Sequence, residues 1–130
     1  MRRLRSARYL DDAGLASRFA RSRIRNQGQG SRRIRAALAS KGVGREAAEK
    51  GLREALEEVS EGAALDQAAR QYWRQKTEDD PRRRLRKLWG FLLRRGFSAG
   101  LVAERLRALW PRWKGLLEEM AEAEGETGEA

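Results

Sequence analysis

KLWGFLLRRGFSAGLVAERL, Lys87 to Leu106, carries the apolar pattern of RIRAALASKGVGREAAEKGL, Arg33 to Leu52, shifted by 54 residues. The same shift pairs Phe19 with Trp73, Ser31 with Leu85, Ile34 with Leu88, Leu38 with Leu92 and Gly42 with Gly96. It goes on to pair Val43 with Phe97, Gly44 with Ser98, Ala48 with Val102 and Leu52 with Leu106, with no gap anywhere. A register kept through apolar and glycine positions alike is the signature of a structural repeat, whose units bury their faces on each other.

Each unit reads as three helices. Ala, Leu, Arg and Glu dominate, the only prolines are Pro81 and Pro111, and no stretch alternates as a strand would. Asp11 and Asp12 suit a helix start after Leu10, and Leu15, Ala16, Phe19, Ala20 and Ile24 form an apolar stripe behind them. NQGQG, Asn26 to Gly30, ends that helix. Ser31 is the expected N-cap of a short second helix with Ile34, Ala37 and Leu38 inward, closed by Gly42. The third helix has Ala47, Ala48, Gly51, Leu52, Ala55, Leu56 and Val59 on one face. In the second copy, Asp80 caps the middle helix, Pro81 takes its first position and Gly96 closes it. The expected fold is all-α: tandem three-helix repeats stacked into an elongated, slightly curved array. Its divisions are a basic N-terminal tail at 1–9, repeats at 10–59 and 60–109, and a C-terminal cap with an acidic tail at 110–130.

The chain has 130 residues, of which 37% are charged, with 29 Lys and Arg against 19 Asp and Glu and a net charge of +10. The charge comes in blocks. Residues 1–35 hold 11 basic and 2 acidic side chains, 36–69 hold 4 and 7, and 70–95 hold 10 and 3. The end reverses sign, with 4 and 1 in 96–114 and 0 and 6 in 115–130. Basic blocks thus recur at matching places in the repeats, so a polyanion or an acidic protein is the expected partner. With no His and no Cys, a Cys/His zinc site, a disulfide and any Ser-His or Cys-His catalytic pair are excluded. No apolar run reaches the roughly 20 residues of a membrane span, and MRRLRSARYLDD has no apolar core behind its basic start. The expectation is a cytoplasmic protein that uses no membrane.

YLDDAGLASRFARSRIR, GSRRIRAALASKGV and above all DPRRRLRKLWGFLLRRGFS resemble the RecX family of recombinase regulators, in register from about Arg8 to Leu109. The resemblance implies a modulator and not an enzyme, without cofactor, metal or small-molecule substrate. Its partner would be the RecA filament on single-stranded DNA. Lying in the filament groove, it would suppress ATP hydrolysis, strand exchange and co-protease activity, and bind bare single strands only weakly and without sequence preference. Family members usually carry three repeats. Only nine residues precede Leu10 here, so the first is absent or reduced to MRRLRSARY.

Two sets of cations are the candidate filament or DNA contacts. Arg21, Arg23, Arg25, Arg32, Arg33 and Arg35 flank the loop between the first two helices. Arg82, Arg83, Arg84, Arg86, Lys87, Arg94 and Arg95 line the middle helix of the second copy. Arginine forks bind phosphate and carboxylate oxygens bidentately, so either kind of partner satisfies them. Any single arginine in such a run is as readily a solvated surface residue. Arg82 to Arg84 oppose the dipole of their helix. Charge reversal at Arg83 and Arg84 is therefore expected to weaken binding more than folding.

Trp73, Trp89 and Phe97 are expected in the core, and Trp110 and Trp113 as a lid over the last repeat. Tyr72 and Phe91 suit either packing or base stacking. Asp11/Asp12 and Asp79/Asp80 read as helix caps rather than metal ligands. The acidic tail, Glu118 to Ala130, reads as a frayed helix end followed by disorder, or as a segment that folds back on the arginines. The alternative function is a general nucleic-acid-binding helical module with no recombinase partner. The turn between the second and third helices of each copy also resembles a helix-turn-helix unit.

Overall fold

The computed structural model describes the backbone of residues 2–75 and 77–128, and the side chains of 8–75 and 77–123. Seven α-helices and one 3-10 turn make up its regular structure. The first unit comprises α1 (Arg2–Gln27), α2 (Ser31–Ser40) and α3 (Arg45–Glu58). The second comprises α4 (Glu61–Gln75), α5 (Pro81–Arg94) and α6 (Ala99–Leu109), then a 3-10 turn at Pro111–Trp113 and α7 (Lys114–Gly128). No strand occurs among the described residues.

The 54-residue register holds at the turns. In the first unit the N–H of Gly42 donates to the Ala39 carbonyl and that of Val43 to Leu38 (3.0 and 3.1 Å). In the second, Gly96 donates to Leu93 and Phe97 to Leu92 (3.0 and 3.3 Å). These paired bonds close a helix on a left-handed residue, and Gly42 and Gly96 have φ of +84° and +100°. Asp80 caps α5 by accepting from the Arg82 N–H, and Ser98 caps α6 by accepting from Leu101.

The two cores differ in material. Six of the twelve buried residues in the first cluster are alanines, at 13, 16, 20, 47, 48 and 55. They let α1 and α3 approach so closely that a Cβ on Gly51 would lie 2.6 Å from the Ala13 carbonyl oxygen. The second cluster is built on Leu65, Leu85, Leu88, Trp89, Leu92, Phe97 and Leu106, and α7 adds Leu117. A fully buried Leu or Phe contributes about 1.5–3 kcal/mol and an alanine far less, so the first unit depends more on its neighbours. Ala64 packs against both clusters.

Backbone joins the two units. The N–H of Gly30 donates to the Arg95 carbonyl at 2.8 Å and that of Arg32 to Gly96 at 3.0 Å. The closing turn of α5 thus supplies acceptors to the open N-terminus of α2, which leaves fewer donors unmatched there. A Cβ on Gly30 would lie 2.5 Å from the Gly96 carbonyl, so glycine is required for that approach. Glu61 completes the seam by accepting from the Ser31 N–H (2.8 Å) and hydroxyl (2.9 Å). Replacing Glu61 by Ala is expected to cost about 1–2 kcal/mol, the scale of a lost helix cap, in urea-induced unfolding. A midpoint equal to that of the parent chain would contradict this.

Several local expectations are corrected. Helix α1 runs unbroken through Leu10, so Asp11 and Asp12 lie inside it and residues 2–9 continue it instead of forming a separate tail. Gly30 and not Ser31 is the N-cap residue of α2, with Ser31 engaged by Glu61. Leu15 and Leu56 are 44% and 38% exposed, because the closeness of α1 to α3 leaves room only for small residues between them. Helix α7 continues to Gly128 where a frayed end was expected. The side chains from 124 on, and with them the fold-back reading of the tail, lie outside the described residues. Trp110 packs on Trp73 with ring centroids 5.0 Å apart, and Trp113 joins the second core, as a lid requires.

Candidate functional site

The basic side chains singled out above fall into three groups. The first serves the fold. Arg21 donates to the Ser17 hydroxyl (2.7 Å) and sits 3.4 Å from Glu58. Arg23 lies 4.7 Å over the Phe19 ring and bonds Gln27, and Arg35 forms a fork with Glu49 at 2.7 and 3.4 Å. Arg84 lies 4.2 Å over the Trp73 ring, its Nε buried and without a hydrogen-bond partner among the described residues. Reversing its charge would break this packing, so Arg84 is unsuited to separating binding from folding.

Arg83 and Lys87 form the second group, both turned to Glu78 at 3.8 and 2.8 Å. The Lys87 hydrogen bond is the main reason the Glu78 carboxyl titrates below its ordinary value. At neutral pH both cations are therefore partly neutralised.

The third group is available to a partner. Arg82, Arg86 and Arg94 are spaced in multiples of four along α5, which places them on one helix face, and all three are exposed. That row ends at the seam. There Arg33 reaches the Arg94 carbonyl (3.5 Å), Arg32 lies in the first turn of α2, and Arg25 stands in the last turn of α1. Arg95 donates to the Gln27 carbonyl (2.9 Å) and lies 5.1 Å from the Phe91 ring centre. None of these seven forms an ion pair with an acidic side chain among the described residues. By the repeat register Arg32 and Arg86 are one position seen twice, and both are exposed.

Beside the seam lies a cleft of about 580 Å³ that the sequence reading missed. Its walls are the end of α1 (Ile24 to Gln27) with Gly28 after it, one face of α4, and Phe91 of α5 with Arg95 just beyond that helix. Gln67, Gln71 and Gln75 stand four residues apart on the α4 face. That spacing was readable, but an exposed glutamine row on a helix looks like ordinary solvated surface.

Other chemistry is sparse. Arg105 and Asp66 join α6 to α4 through bonds of 2.9 and 2.6 Å, and the Asp66 hydrogen bond raises the Arg105 pKa further. Among the described residues no group of three acidic side chains converges as a metal site would require. No helix among them is long and apolar enough to cross a membrane.

A stacked pair of three-helix units with a cationic row crossing their seam defines a helical-repeat protein. Residues 11–52 match the family model described as RecX, second three-helix domain, and residues 60–110 match RecX, third three-helix domain. The chain belongs to the RecX family. The protein named Regulatory protein RecX of Shigella boydii is 38% identical over 106 residues, covering 78% of this chain and 57% of its own length. Its namesake in Clostridium botulinum is 31% identical over 102 residues, 78% of this chain and 47% of that protein. The Escherichia coli K12 protein of the same name is 47% identical over 64 residues, 49% of this chain and 37% of its own. This chain therefore spans about half the length of the curated relatives it matches. No solved structure matches it.

Proposed function

We propose that this chain binds the RecA filament on single-stranded DNA and suppresses its ATP hydrolysis, strand exchange and co-protease activity. The observation that carries the reading is the row formed by Arg82, Arg86 and Arg94 with Arg32 and Arg33, which crosses the seam without an acidic partner. A filament repeats, and a ligand that presents Arg32 and Arg86 at equivalent places of two units can engage two of its steps at once.

A sequence-reading DNA module is the weaker alternative. In a helix-turn-helix unit the helix after the turn enters the major groove. Here that helix would be α3, with Glu46, Glu49, Glu54, Glu57 and Glu58, or α6, whose Arg105 is held by Asp66. Set against Arg45, Lys50 and Arg53 these carboxylates leave α3 net negative, unlike a helix that must enter a groove lined by phosphates.

The test is the ATPase rate of preformed RecA on single-stranded DNA with this protein added substoichiometrically, beside its binding to the same DNA alone. Inhibition is expected at concentrations that leave bare DNA unbound. An unchanged ATPase with tight, salt-sensitive DNA binding would replace this reading with the plain nucleic-acid module.

A further inference from the structure

The cleft between the units has a chemistry unlike the rest of the surface. Its lining contains the amides Asn26, Gln27, Gln67, Gln71 and Gln75, the rings of Tyr72 and Phe91, and the cations Arg25 and Arg95, but no carboxylate. Tyr72 and Phe91 lie 4.7 Å apart between ring centres at 31°, and Arg95 lies 5.1 Å from the Phe91 centre. Arg95 is tethered through Nη1 to the Gln27 carbonyl, which steadies its guanidinium plane. Arg25 is exposed at the rim.

We propose that this cleft holds one unstacked base of a single-stranded nucleic acid, with the adjoining phosphate at Arg25. A primary amide offers a donor and an acceptor side by side, the pattern that base edges complement. Unstacked bases lie against aromatic rings and arginine planes, both of which line this space. A volume of about 580 Å³ falls in the range of small-ligand sites and accommodates a base with its sugar. An acidic peptide fits less well, since it would make no use of the glutamine row. The proposal deepens the filament reading, because a regulator seated on a strand-bearing filament meets bases. Its test contains no recombinase, so each can fail alone.

The experiment measures fluorescence anisotropy of labelled 12-residue oligo-dT and oligo-dA against an oligonucleotide of equal length and charge that is abasic at every position. The base-bearing strands are expected to bind about tenfold more tightly, the scale of one stacked base. Gln67→Ala with Gln71→Ala changes no charge and replaces exposed glutamines with a good helix former, so folding is retained. This variant is expected to reduce the preference for bases by about threefold, the scale of a lost hydrogen bond to a base edge, with stacking retained. Arg25→Ala is expected to weaken all three strands by the same factor. Free dTMP and dAMP at millimolar concentration should compete only weakly, since they lack the flanking phosphates; full competition would make the site one for a free nucleotide. Equal binding of abasic and base-bearing strands, or a preference left unchanged by the double glutamine change, would overturn the proposal. So would the absence of any strand binding.

Discussion

Replacing Gly96 by Ala is expected to destabilise the chain by about 3–5 kcal/mol, against about 1–2 for Gly42→Ala at the equivalent position of the first unit. Both glycines have positive φ, +100° and +84°, so both changes carry the left-handed penalty of an L-residue. What differs is the surroundings. A Cβ on Gly96 would lie 2.6 Å from the backbone nitrogen of Arg33, while nothing lies within 4 Å of one on Gly42. Backbone cannot step aside as a flexible side chain can, so the seam must open. Opening it breaks the bonds from Gly30 to Arg95 and from Arg32 to Gly96, and removes the acceptors that close the start of α2. The alanine-rich first unit should then unfold before the second, whose leucines, Trp89 and Phe97 form a core of their own. Urea titrations followed by tryptophan fluorescence and by far-UV circular dichroism provide the check. All four tryptophans lie in or after α4, so fluorescence reports the second unit while dichroism reports both. In Gly96→Ala the dichroism midpoint should fall below the fluorescence midpoint. Equal losses in the two variants would mean that the units are joined by something other than this backbone contact.

The difference between those glycines also marks where reading the sequence stops. Periodicity exposed the repeat because a helix face must be apolar at helical spacing, and the closing glycines stood out because few other residues accept their φ. The seam had no such letter. Its closest bonds are between main-chain groups, the same at every residue, and the carboxylate that joins them, Glu61, meets Ser31 across 30 positions. Asp11 and Asp12 misled for a related reason. Aspartates suit a first helical turn, but on an exposed or half-buried face they are tolerated inside a helix that packing holds together. The arginines were legible only as a population. Composition cannot distinguish Arg35, locked to Glu49, from Arg32, three residues earlier and facing solvent. Nor could Arg84 be recognised as the cover of a tryptophan before its ring partner was placed.

That sorting identifies the substitutions that should separate binding from folding. Arg32→Glu with Arg86→Glu is expected to weaken filament binding about 100-fold, taking roughly 1.5 kcal/mol or more for each lost charge contact and tenfold per 1.4 kcal/mol. The cost to folding should be small. Position 32 lies in the first turn of α2, where a carboxylate is favoured by the helix dipole, and position 86 lies within α5, where Glu forms helix about as well as Arg. Both side chains are exposed and neither holds an acidic residue in place. Thermal melting followed by circular dichroism should therefore change by less than about 1 kcal/mol. Half-maximal inhibition of the RecA ATPase should move up about 100-fold over the same salt range. The paired reversal at Arg21 and Arg35, which breaks their contacts with Glu58 and Glu49, should show the opposite balance, with melting affected and binding nearly retained. If Arg32 and Arg86 can be reversed without loss of inhibition, the row across the seam is not the filament face. The protein would then have to present its second unit's Arg83 and Lys87, released from Glu78, or a surface that carries no repeat at all.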